Sequence, residues 1–154
     1  MSDQSVFEQR ANFRVVHVIV RNHAGDILLQ KIAPGLRHSG AWGSSVAGYL
    51  KAGETYRQAA FRKLFDELGI HTTKLKSHGR TLMLDNGCKK FIGVYSLQRD
   101  GQFTFLSNQA TGIEFLPVRD VRDACQSGRR EFTATFVHVM RYLDASGFGA
   151  NSDP

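Results

Sequence analysis

Cysteine is scarce in this chain: Cys88 and Cys125 are the only two, with no CxxC and no cluster of other ligand residues beside either. That excludes a disulfide framework and a zinc site of ordinary spacing, and both thiols read as reduced, structural groups. Long apolar runs are missing as well. No window approaches 18 consecutive apolar residues, so no membrane-spanning helix is expected. The start, MSDQSVFEQRANF, lacks the basic-then-apolar layout of a secretory signal, and cytoplasmic residence is the expectation. Acidic residues are the rarer charge, 14 against 20 Lys and Arg, which gives a net charge of +6. Such a balance favours anionic ligands: polyphosphates, nucleotides or nucleic acid. The basic residues are scattered, the tightest groups being Lys74/Lys76/Arg80, Lys89/Lys90 and Arg129/Arg130. None interleaves with aromatics as a single-strand platform would, so nucleic acid is the least favoured partner.

What is present suits one globular domain, with 42% hydrophobic and 22% charged residues in 154. Residues 1–12 read as an N-terminal arm, 13–145 as the domain and 146–154 as a flexible Gly-rich tail. Phe13–Asn22 and Ile27–Ile32 form a strand pair around the turn HAGD, and Ser44–Ala47 a short strand. Thr55–Leu68 is the strongest helix, capped by Thr55 or Glu54 and ended by Gly69. Lys74–Leu84 and Cys88–Leu97 flank the turn signal DNG. Short strands follow at Phe103–Leu106 and Ile113–Leu116. Helices are expected over Val118–Gln126 and Arg130–Leu143, the second with Phe132, Phe136, Val139, Met140 and Leu143 on one stripe.

The chemistry concentrates in Gly48–Ile70, GYLKAGETYRQAAFRKLFDELGI. Lys63, Asp66 and Glu67 stand at i, i+3 and i+4, so they leave one helix face about one turn apart. Two adjacent carboxylates there suit Mg²⁺ or Mn²⁺ bound together with substrate phosphates. The stretch resembles the Nudix box: Gly, five residues, Glu, seven residues, Arg-Glu, an apolar residue, any residue, Glu-Glu, any residue, Gly, apolar. Gly48, Glu54, Arg62, Leu64, Glu67, Gly69 and Ile70 match at the required spacing. Lys63 stands where the first Glu of the box is usual, and Asp66 replaces the first Glu of the later pair.

The resemblance implies an α/β/α sandwich around a mixed β-sheet, and a hydrolase that cleaves an organic diphosphate with divalent cations. Carried over by position, Glu67 and Asp66 hold the metal, and Arg62 with Glu54 forms an orienting ion pair. Gly48 lets the loop pass close to the helix. In the family a basic residue near Lys31 commonly faces the cleft, and Arg37 and His38 are further candidates for phosphate contact. Lys63 cannot ligate a cation while charged. At about 4–6 Å it interacts with each carboxylate by roughly 1–4 kcal/mol, stabilising the ions but competing with a metal. It can instead act as a counter-charge to phosphate. A single-metal site fits this pattern; a full multi-metal site does not. A later loop, 107–115, carries Gln109 and Gly112 where many relatives have Glu, and its one acid is Glu114.

The run ILLQK, then AWGSSVAGYLKAGE, is similar to the isopentenyl-diphosphate isomerase branch. Those isomerases need a Cys just before the box glycine and a His just after it, where this chain has Ala47 and Tyr49. Further metal-binding Glu of that branch fall on CKKFIGVY, which offers Lys89 and Lys90. His17, inside an apolar strand, reads as a satisfied core histidine. Trp42 and the Phe132, Phe136 and Met140 set read as core, and Tyr49 as a residue that could stack on a base. The leading expectation is a diphosphohydrolase weakened by its degenerate box. The alternative is a catalytically silent domain that binds a phosphorylated metabolite or partner, and isomerisation is the least expected. A homodimer is compatible with the sequence.

Overall fold

A computed structural model of the chain describes residues 12–35, 40–106, 110–128 and 130–148. Seven strands form one mixed sheet: β1 (Phe13–Arg21), β2 (Ile27–Ile32), β3 (Trp42–Gly43), β4 (Val46–Tyr49), β5 (Lys76–Asp85), β6 (Cys88–Gln98) and β7 (Ala110–Leu116). Among the described residues three helices join them: α1 (Tyr56–Leu68), α2 (Val118–Ser127) and α3 (Ala134–Ala145). β1 is central. It runs parallel to β6 along its whole length and antiparallel to β4 over Val15–Val18, and meets β2 only at Arg21 and Ile27. The sheet therefore divides, with β4 on one branch and β2, β3 and β7 on the other.

Alternation along β1 sorts the core into two layers. Val16, Val18 and Val20 pack against Tyr56, Ala59, Ala60, Leu64 and Leu68 of α1. Val15 and Ile19 pack on the opposite face with Val121 of α2 and Phe136, Val139, Met140 and Leu143 of α3. This is the expected α/β/α sandwich. Because β1 is covered on both faces, it reads as an almost unbroken apolar run.

Local chemistry explains the ends of the elements. Thr55 accepts from the Gln58 amide while Gln58 returns a bond to the Thr55 amide, a complete capping box. Gly69 ends α1 in the left-handed region, and the Gly69 and Ile70 amides close back on Phe65 and Leu64. Asn86 and Gly87 both have positive φ, as the tight turn between β5 and β6 requires. Cys88 is buried and Cys125 half-buried, and neither forms a disulfide. Burial, helped by Asp144, pushes the Cys125 thiol up to about 11, so it is no thiolate at neutral pH.

Two expectations are corrected. Phe103–Leu106 is not a strand: it pairs with no ladder. Instead the Leu106 amide bonds the Glu67 carbonyl at 2.7 Å, and Phe103 and Phe105 pack on the α1 layer. The last helix starts at Ala134 and not at Arg130, because Thr133 caps it and Phe132 bridges to Trp42. No helix among the described residues is long and apolar enough to cross a membrane.

Candidate functional site

Helix α1 puts Lys63 and Glu67 on the side that meets β4. Glu67 is only 3% exposed, and its Oε1 lies 3.3 Å from the Lys63 ammonium. Its other oxygen, Oε2, is buried and has no hydrogen-bond partner. Burial raises the Glu67 pKa, against the pull of Lys63. The lysine reaches this place by crossing Gly48, where a Cβ would sit 2.4 Å from Lys63 Cε. A side chain at the box glycine would therefore push the lysine stem aside, a closer contact than the loop approach the sequence suggested.

Arg62 and Glu54 lock the loop before α1 onto the helix. The guanidinium donates to both Glu54 oxygens at 2.7 and 2.9 Å and to the Tyr49 carbonyl at 3.1 Å. Asp66, about half exposed, stands 3.8 Å from Arg62. The Arg62 hydrogen bonds hold the Glu54 pKa down at about 2, although partial burial opposes them. A carboxylate whose folded pKa lies below its unfolded value of 4.5 stabilises the fold above pH 4.5. That contribution is lost as pH falls from about 4.5 toward about 2. Urea unfolding at about pH 5 and about pH 3 should therefore show a smaller acid loss for Glu54→Gln than for the unaltered chain. Equal losses would place the pair's contribution elsewhere.

A cavity of about 190 Å³ opens where the sheet divides, between β2 and β4. Ala47 and Tyr49 of β4 line it with His17, Ser44, Lys90 and Thr135. Gly48, between Ala47 and Tyr49, carries the Lys63 contact, so the short strand β4 separates the cavity from the Lys63–Glu67 pair. Inside, His17 Nδ1 and Ser44 Oγ share a hydrogen bond of 2.7 Å. Burial, then Lys90 and His138, lower the His17 pKa to about 3, which keeps the ring neutral. The Lys90 ammonium donates to Thr135 Oγ1 at 2.9 Å and pairs with Asp85 at 3.2 Å. His17 is the satisfied histidine that the sequence predicted, but it also lines this cavity. Ser44, Thr135 and Lys90 in this role were missed. Lys90 shares period-two alternation with Ile92 and Val94, which could have flagged it as inward-facing.

The candidates thus fall into separate groups. Lys63, Glu67 and Gly48 come together, with Asp66, Arg62 and Glu54 beside them. Lys31 does not join them: its ammonium lies 5.9 Å from the Trp42 ring, whose other neighbour is Arg130 at 4.8 Å. Arg130 also pairs with Glu114, so that acid is occupied. Gly69 is the α1 cap. Arg37, His38 and Gln109 lie outside the described residues.

The unpartnered Glu67 oxygen shows what cation these residues suit. A hard cation would satisfy it, and Asp66 is one residue away. However, the described residues contain no group of three or more His, Cys, Asp or Glu able to hold a metal. The donor set fits one ion, completed by substrate or solvent oxygens, and does not fit a cluster.

The isomerase chemistry lacks its residues: Ala47 and Tyr49 line the cavity where a thiol and an imidazole would be required. The chain is nevertheless 27% identical over 141 residues to an isopentenyl-diphosphate Delta-isomerase of Pectobacterium atrosepticum, covering 86% of this chain and 79% of that one. It is also 27% identical over 104 residues to an uncharacterized Nudix hydrolase of Pseudomonas aeruginosa, covering 67% of this chain. That match spans 62% of the Pseudomonas protein's length. Among solved structures, the Nudix domain of Shewanella oneidensis NrtR, in complex with ADP ribose, superposes with a TM-score of 0.69. There the identity is 12%, over 95% of this chain and 99% of that one. The family model for the NUDIX domain matches residues 11–136, most of the sequence. With the sandwich, the capped box helix and the Arg62–Glu54 lock all in place, this chain belongs to the Nudix family.

Proposed function

We propose that the chain is a slow hydrolase of the diphosphate linkage in a nucleoside diphosphate derivative or another organic diphosphate. It would work in the cytoplasm with a single Mg²⁺ or Mn²⁺ held by Glu67 and Asp66. The observation that carries this reading is Glu67 Oε2, a buried carboxylate oxygen without a partner on the face the box reserves for metal. The bound ion would neutralise charge on the phosphoryl oxygens and lower the pKa of water. The chain supplies the rest. Lys63 would move from Glu67 to a phosphate oxygen as the ligand arrives, and the Arg62–Glu54 pair keeps α1 and the Gly48 loop in register. Arg37 and His38 are proposed as further phosphate contacts and Lys31 as a weaker one, since it faces Trp42. No side chain among the described residues is placed as a general base: Glu114 is held by Arg130. That lack is the reason for expecting slow turnover.

One observation favours a second reading. The Lys63–Glu67 ion pair satisfies part of the carboxylate without any metal, as suits a silent domain that binds a phosphorylated metabolite. A panel of organic diphosphates with Mn²⁺ separates the two. Hydrolysis predicts formation of phosphomonoester products, read as phosphate freed by an added phosphatase, above that of an Asp66→Ala/Glu67→Ala variant. The silent reading predicts no release, and a ligand-induced thermal shift that EDTA leaves unchanged.

A further inference from the structure

A larger recess, about 1190 Å³, lies beyond the C-terminal end of β1, away from the cavity. Four cations line it: Arg21, Arg57, Lys74 and Lys76. His23 and His78 add two imidazoles, and no aspartate or glutamate is part of its wall among the described residues. The cations come from four places: the end of β1, the first turn of α1, the loop before β5 and the start of β5. Neighbouring groups orient two of them. Arg57 donates to the Leu75 carbonyl at 3.1 Å, and Arg21 lies 4.8 Å from the Phe148 ring and bonds the Gly25 carbonyl. Lys74 and Lys76 are exposed, and no ion pair links either to an acid among the described residues.

We propose that this recess binds the phosphodiester backbone of single-stranded nucleic acid. A small nucleotide would engage only part of it, because the recess exceeds the roughly 300–1,000 Å³ of small-molecule pockets and its charges are spread over four segments. Its uncharged lining also argues against a bare phosphate chain. Asn22, Thr73, Ser96 and Gln98 supply amides and hydroxyls suited to sugar hydroxyls and base edges, which a single strand exposes. Ser96 bonds His78 at 2.7 Å and Gln98 bonds His23 at 3.1 Å, which fixes these side chains along the wall. Phe148 is buried and offers no face for stacking, so the phosphate contacts supply the affinity and the polar wall only a modest base preference. This surface is independent of the Lys63–Glu67 centre.

The test is fluorescence anisotropy with a labelled 20-nucleotide oligo(U), titrated at several salt concentrations. Four neutralised phosphates predict a slope of log K against log salt near −3, a loss of about 50-fold between 50 and 200 mM. The Lys74→Glu/Lys76→Glu variant should bind at least about tenfold more weakly than the unaltered chain. The charge-matched Lys89→Glu/Arg119→Glu variant, altered outside the recess, should stay within about twofold. Circular dichroism confirms that each is folded. Absence of binding at 50 mM salt overturns the proposal, as does equal weakening by both variants. A 20-base-pair duplex that binds as tightly as the single strand overturns it too.

Discussion

Replacing Lys63 with methionine should cost the fold about 3 kcal/mol, the lower end of the range for breaking a buried ion pair, because the lysine keeps some contact with water. Glu67 is 3% exposed, and Lys63 is its one charged partner within salt-bridge distance among the described residues. Without the ammonium, a buried carboxylate is left with neither oxygen satisfied. Burial already raises the Glu67 pKa, and losing Lys63 raises it further. A raised folded pKa means that the folded state holds the proton more tightly than the unfolded chain. The deficit of the Lys63→Met protein relative to the unaltered chain should therefore be smallest at low pH, where Glu67 is neutral, and grow as pH rises through the unfolded value of 4.5 toward the folded one. Urea unfolding at neutral pH measures the loss. A Lys63→Met/Glu67→Gln variant should recover most of it, since an amide carries no charge to bury. A loss below about 0.5 kcal/mol for Lys63→Met would show the pair to be solvated and the site open to water.

The second large effect is expected when Lys63 becomes glutamate. Three acids would then stand at 63, 66 and 67 on one face of α1, the donor set that is otherwise missing. Without metal, two like charges beside the buried Glu67 carboxylate should destabilise the protein by several kcal/mol. With Mn²⁺ at about 100 times its dissociation constant, roughly 2.7 kcal/mol returns, a Tm rise of about 5–10 °C in a domain of this size. The unaltered chain should move by no more than about 2 °C under the same conditions, because its ammonium competes for the carboxylate. A Lys63→Glu protein whose Tm ignores Mn²⁺ would mean that position 63 does not adjoin the metal-binding face.

Much of this was legible in the sequence because it is local. The α1 cap needs only Thr55 and Gln58, its end only Gly69, and the β5–β6 turn only Asn86 and Gly87. The Arg62–Glu54 lock was also foreseen, eight residues apart and fixed by the box spacing. Long-range placement was not legible. Phe103–Leu106 has the composition of a strand, yet it crosses the end of α1 and is held by the Glu67 carbonyl. Nothing near Ser44 in the sequence reveals its bond to His17, 27 residues away. Nor does the neighbourhood of Lys90 reveal Thr135, 45 residues on. Lys31 reads as cleft-facing by resemblance, but strand register sets it beside Trp42. The recess past β1 draws its cations from four separate segments, which looks like scatter along the chain.

The most direct measurement is a crystal soaked with Mn²⁺ and a non-hydrolysable organic diphosphate, with anomalous scattering recorded at the manganese edge. Expected is one manganese peak within coordination distance of Glu67 Oε2, the diphosphate beside it, and the Lys63 ammonium moved from Glu67 onto a phosphate oxygen. A diphosphate bound with the Lys63–Glu67 contact intact and no anomalous peak would contradict metal-dependent hydrolysis and leave a binding domain.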